Sequence, residues 1–182
     1  MSKLNLRIIK PDHSNIISVG YSIFMAGGIS NCRDWHAEYI NQIKTELSLY
    51  TNYIDDKIPS GGKLNVTLLN PRRTSFDLHD KAMTEDQIKW EFNMLNQADL
   101  ISFWFSNETL CPITLYELGY WLGVAKDKVI IGVDDNYQRI DDVKIQSRLA
   151  GYDKPIFHTV SSLVCGIVDH LDHKIDVGIT PF

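Results

Sequence analysis

The sequence has no basic stripe, and its formal net charge is −5. A protein that grips a nucleic-acid polymer neutralises phosphates with a basic face, so no such partner is expected. Single nucleotides stay open, because a small site needs only one or two local cations. Cysteine is sparse: Cys32, Cys111 and Cys165 are odd in number and far apart. They form neither a disulfide framework nor the paired spacing of a zinc site, which points to a reducing compartment. The opening residues lack the apolar stretch of a signal peptide, and no run approaches the length of a membrane span. A soluble cytoplasmic protein without membrane attachment is the expectation. GxGxxG and Walker loops are missing too, which removes support for dinucleotide and P-loop chemistry. No repeat or low-complexity segment occurs.

What is there is an ordinary globular composition, 44% apolar and 23% charged over 182 residues, read as a single domain over 1–182. Short apolar runs alternate with longer amphipathic stretches. Strands are expected at 22–26, 64–69, 99–105, 128–133 and 155–158, with Leu4 to Ile9 as an edge strand or hairpin arm. Helices are expected over 34–50, opened by Asp34, then from Thr84 to 98, over 112–126 behind Pro112, and over 161–171. Thr84 would put Glu85 and Asp86 in a first turn, where a helix favours negative charge. Residues 51–63 read as a surface loop. This alternation predicts an α/β fold, one doubly wound and mostly parallel five-stranded sheet with helices on both faces. Such sheets bind ligands at the carboxyl ends of their strands, where strand order reverses. The loops after Ala26, Leu69 and Phe105 therefore hold the candidate site.

Gly27 and Gly28 end the first central strand; two glycines allow a sharp turn and close ligand approach, and equally serve a tight βα connection. After the next strand, Asn70-Pro71-Arg72-Arg73 brings two arginines to the ligand edge, where planar guanidinium groups suit phosphate, carboxylate or a base edge. Glu117 follows the most apolar strand, in the second turn of its helix and among apolar neighbours; a helix N-terminus favours the ionised carboxylate that nucleophilic attack requires. Glu91, on the preceding helix, is a second carboxylate that could orient a hydroxyl or move a proton. A structural glutamate paired with a nearby arginine is the alternative for Glu117, and a half-exposed residue in Lys89-Trp90-Glu91 the alternative for Glu91. Cys111, at a helix N-cap where thiol pKa values fall, is a rival nucleophile, although no histidine is placed as its base. His170 and His173 lack a further ligand and read as a solvated helix end, so no metal site is expected.

Taken together, Phe24-Met25-Ala26-Gly27-Gly28, Asp34-Trp35, Asn70-Pro71-Arg72-Arg73, Trp90-Glu91, Ala98-Asp99 and Tyr116-Glu117-Leu118-Gly119-Tyr120 resemble the nucleoside 2-deoxyribosyltransferase family, in its branch with an Asn-Pro-Arg-Arg signature. The resemblance spans about residues 22–133 in one consistent order. It implies a flavodoxin-like fold and a nucleophilic Glu117 with Glu91 as its acidic partner. It implies a sugar and base pocket lined by Gly27 and Gly28, with Cys111 at the position that contacts the nucleobase. Asp34, Trp35, Asn70, Arg72, Arg73 and Tyr116 complete the expected substrate-binding set. The implied reaction moves 2-deoxyribose between nucleobases without a cofactor, its partners being a nucleoside or nucleotide and a free base. A relative of the same superfamily would instead hydrolyse deoxynucleoside 5'-monophosphates, and a nucleotide-sensing module that does not turn over is the reading from another class. The resemblance also implies a homo-oligomer whose neighbouring subunit covers the site, with Asn136 a guess for the amide it contributes. The surface around Tyr120 and Trp121, beside Gly119 and Gly123, is the candidate contact.

Overall fold

The structure, a computed structural model, describes residues 3–12, 19–75, 77, 80–177 and 181. Six strands, β1 (Leu4–Ile9), β2 (Tyr21–Gly27), β3 (Leu64–Leu69), β4 (Leu100–Phe105), β5 (Val129–Val133) and β6 (Ile156–Phe157), form one sheet in the order β1-β3-β2-β4-β5-β6. Every pairing is parallel. The five helices are α1 (Trp35–Tyr53), α2 (Lys81–Gln97), α3 (Pro112–Ala125), α4 (Ile140–Leu149) and α5 (Val160–Asp176). Without β1, the order is the 2-1-3-4-5 arrangement of flavodoxin-like sheets.

The period-two alternation of β2 assigns its neighbours to two cores. Ile23 and Met25 face α1 and α5, packing with Trp35, Tyr39, Ile43, Leu47 and Leu163. Phe24 and Ala26 face the other side, with Trp90 and Met94 of α2 and Leu118 and Trp121 of α3. The chain leaves β2 for one face and β4 for the other, so a crevice opens between their carboxyl ends.

Several expectations change. The sheet has six strands rather than five, because Leu4–Ile9 pairs with β3 from Leu4↔Leu64 to Ile9↔Leu69. That parallel register also rules out a hairpin arm. Helix α2 starts three residues before Thr84: Asp80 caps it by accepting from the Met83 N–H, and the Thr84 hydroxyl donates back to the Asp80 carbonyl. Glu85 and Asp86 therefore lie beyond its first turn. Helix α4 lies where the sequence reading places no element; it is short and buries only Val143 and the small Ser147. Trp121 is buried against the sheet, leaving Tyr120 half exposed beside it. Helix α1 also continues to Tyr53, shortening the expected loop, and Ile54 and Ile58 beyond it are buried.

Candidate functional site

A cavity of about 530 Å³ lies at the carboxyl ends of β2, β3 and β4, between α2 and α3. Its first wall is the loop after β2. At Gly27 an added Cβ would sit 2.4 Å from the Trp35 ring and 2.6 Å from the Trp104 carbonyl oxygen. At Gly28 it would meet Thr109 at 2.7 Å and the Cys111 sulfur at 2.8 Å. Gly27 is thus required by the Trp35 ring and the β4 backbone, and Gly28 by the close approach of the loop after β4, whatever else they do. The Trp35 Nε1–H donates to the Gly28 carbonyl at 2.8 Å and fixes the turn from below.

The second wall, Asn70 to Ser75, separates two arginines that are equivalent in sequence. Asn70 is buried and its Oδ1 accepts the Arg72 backbone N–H at 2.9 Å, which sets the turn. Arg72 then reaches toward α1. Its Nε lies 3.2 Å from the Asp34 carboxylate and 3.4 Å from Nδ1 of His36, and a terminal amino group donates to the Arg33 carbonyl at 3.3 Å. His36 is fully buried; burial and then the Arg72 charge push its pKa down to about 3. A neutral ring that accepts at Nδ1 carries its proton on Nε2. Arg72 therefore clamps the loop after β2 to the loop after β3. Arg73 goes the other way, its Nε donating to Gln87 Oε1 of α2 at 2.6 Å.

The third wall is the head of α3. Cys111 holds the N-cap position with φ of +46°, a left-handed conformation uncommon for a side-chain-bearing residue. The Tyr137 hydroxyl donates to the Leu110 carbonyl at 2.6 Å and anchors the segment before it. The thiol does not gain the acidity expected of an N-cap. Burial dominates and pushes its pKa up to about 11, so Cys111 stays protonated at neutral pH and its case as a nucleophile weakens.

Two half-buried carboxyl groups face the cavity from its two helices. Glu117 on α3 is pushed up to about 8, first by burial and then by the charge of Glu91, with no hydrogen bond from the described residues to hold it ionised. Glu91 on α2 is also raised by burial, but Gln87 and the Arg73 charge oppose the shift. Gln87 Nε2 donates to Glu91 Oε1 at 2.7 Å and to the Pro71 carbonyl at 2.8 Å. Among neighbouring carboxyls, one ionised and one protonated is the arrangement such shifts produce.

Of the expected site residues, Gly27, Gly28, Arg72, Arg73, Glu91, Cys111 and Glu117 line this one cavity. The others do not. Asp34 caps α1, accepting from the Ala37 N–H, and pairs with Arg72. Trp35 and Asn70 are buried supports, and Tyr116 is 76% exposed away from the cavity wall. The residue missed from sequence is Gln87, which ties the arginine loop to the carboxyl pair. Thr109, Thr114 and Ser30 add hydroxyls to the lining. Among the described residues no three His, Cys, Asp or Glu side chains converge as a metal site would need, and no helix is long and apolar enough to cross a membrane.

No curated protein matches the chain by sequence. The sequence profile of a family described as nucleoside 2-deoxyribosyltransferase like matches residues 20–137, well over half of the chain. That segment carries β2 to β5 and every cavity-lining side chain, and with it the chain belongs to the nucleoside 2-deoxyribosyltransferase-like family.

Proposed function

We propose that the protein transfers 2-deoxyribose between nucleobases through a covalent ester on Glu117. What supports this reading above all is a carboxyl pair, Glu117 and Glu91, in the cavity at the strand-order reversal, with Glu117 free of hydrogen-bond partners among the described residues. The double displacement parallels that of retaining glycosidases. The bond between C1' and the base nitrogen breaks, the Glu117 carboxylate oxygen bonds to C1', and the proton that Glu117 carries in the free protein leaves on the departing base. Glu91 remains a carboxylate beside the cationic transition state. An incoming base then reverses each step. Gly27 and Gly28 line the sugar and base pocket, and Cys111 contacts the base as a neutral thiol.

Transfer requires that water be kept from the ester. Helix α3 presents Ile113, Tyr116, Tyr120 and Val124 as exposed side chains, with open space over Gly119 and Gly123. We assign this face to a second copy of the chain, giving at least a dimer with the site near the interface.

Hydrolysis of deoxynucleoside 5'-monophosphates is the second reading. It is favoured by Arg73, which lines the cavity while its two terminal amino groups have no acceptor among the described residues. Base release from deoxynucleosides and from their monophosphates, each with and without an acceptor base, tests both. New nucleoside formed only with acceptor supports transfer; release from monophosphates regardless of acceptor supports hydrolysis. Binding without release from any of them would leave a sensing module.

A further inference from the structure

Gln87 lies on α2 one turn before Glu91 and is only 8% exposed. Its amide is fully committed. The carbonyl oxygen accepts from Arg73 Nε at 2.6 Å, and the amino group donates to the Pro71 carbonyl at 2.8 Å and to Glu91 Oε1 at 2.7 Å. This network fixes which end of the amide is which. Arginine can only donate and a peptide carbonyl can only accept, so the flipped amide would put donor against donor and acceptor against acceptor. The amino end must therefore face Glu91, and Glu91 Oε1 must receive a hydrogen bond rather than give one.

We propose that Gln87 is a positioning residue for the carboxyl pair: by presenting a donor to Glu91 it keeps that group ionised and leaves the pair's proton on Glu117 in the free protein. The Arg73 guanidinium, oriented by the same amide, lends its charge to the same end. The chemistry is the general one in which a hydrogen bond to a carboxylate favours the charged form, while a like charge nearby holds the second group protonated. The other titratable or charged groups lining the cavity agree with this assignment. Arg72 comes from the loop after β3 and is neutralised toward Asp34, and Cys111 at the head of α3 remains an uncharged thiol. Strand β2 contributes Phe24, Ala26 and Gly27, and its following loop contributes no ionisable side chain to the lining. A consequence rests on the transferase reading given above: the proton held on Glu117 is the one the departing base takes, so Gln87 sets the form of the pair that is ready to react.

The direct test is a carbon-13 NMR titration of the Glu91 and Glu117 carboxyls in the intact protein and in Gln87→Met, which keeps the length and loses the polar contacts. In the natural protein Glu91 should titrate below Glu117. In Gln87→Met its midpoint should rise by about one pH unit, the scale set by losing one hydrogen bond to a charged group. The acidic limb of the pH–rate profile should move with it, a change that a purely structural glutamine would not cause. A Glu91 midpoint unmoved in folded Gln87→Met would overturn the proposal. So would Glu91 titrating above Glu117 in the natural protein, which needs no variant at all. If no deoxynucleoside or monophosphate releases its base, the transferase reading fails while the titration still decides the role of Gln87.

Discussion

The two faces of the sheet are built on opposite terms. On one, α1 lies directly against α5 over Trp35, Tyr39, Ile43 and Leu47, all fully buried, and even a histidine is sealed in as a neutral ring. On the other, α2 and α3 stand apart at their carboxyl-edge ends and the cavity lies between them. The closed face fixes the position of the loop after β2; the open face carries the carboxyl groups that this loop helps enclose. Close packing and the cavity are thus divided between two layers that share β2, through Met25 on one side and Phe24 on the other. Substitutions on the closed face should act through stability, and those on the open face through turnover.

The largest expected effect is on the open face. Glu117→Gln should lower turnover by roughly a thousandfold or more while the fold survives, because the covalent route is lost; steady-state base release and circular dichroism measure the two halves. The stability of the natural protein should also show the raised pKa of Glu117. A carboxyl whose pKa is about 8 in the fold and 4.5 ordinarily contributes stability in full below pH 4.5 and loses it as pH rises through 8. Denaturant midpoints measured across that window should fall less steeply with pH in Glu117→Gln.

Next in size is the closed face. Ile43→Ala should cost about 2–5 kcal/mol of stability by leaving a cavity in the α1 core. Its kcat per folded molecule should stay within a few-fold of the natural protein. A large loss of kcat with little loss of stability would break the division between the faces.

The two arginines sharpen the comparison at its seam. Arg72→Ala removes the cation paired with Asp34 and the donor to His36 and should cost about 1–3 kcal/mol of stability. Arg73→Ala should cost about 1 kcal/mol, by removing the donor to the buried Gln87 carbonyl oxygen. If the substrate carries a 5'-phosphate, it should raise KM for the monophosphate by the loss of a charge-assisted contact, about 1.5–3 kcal/mol. KM for the free nucleoside should hardly move. Equal effects of Arg73→Ala on both substrates would assign Arg73 to the base or to structure instead.

The smallest effect concerns pH. With one proton on the pair as the reacting form, kcat/KM should fall as pH rises through about 8, where Glu117 in the free protein gives up its proton. A rate that climbs through pH 8 would mean that ionisation of Glu117 before binding is what limits the reaction.

Much of this arrangement is legible in the sequence because it follows from local pattern. The continuous apolar runs of β2 and β4 mark a parallel sheet buried on both faces, and the glutamate after β4 stands out among apolar neighbours. What is not legible depends on distant contacts. Gln87 sits in Thr84-Glu85-Asp86-Gln87, which reads as a solvated helix surface until Pro71 and Arg73 fold over it. Arg72 and Arg73 are adjacent and chemically alike, and only the Asn70 turn sends them to different faces. Asp34 and Trp35 carry the family pattern yet serve as a helix cap and a buried support for Gly28. Short motifs therefore mark the neighbourhood of the cavity without distinguishing its lining from its scaffold.

The most direct test of the account is intact-mass spectrometry of the protein quenched during turnover of a deoxynucleoside or its monophosphate without an acceptor base. The expected result is a mass increase of one 2-deoxyribosyl unit with the nucleoside, or of its 5'-phosphate with the monophosphate, located by peptide mapping on Glu117 and missing from Glu117→Gln. An adduct on Cys111 instead, or base release by Glu117→Gln at the natural rate, would contradict it.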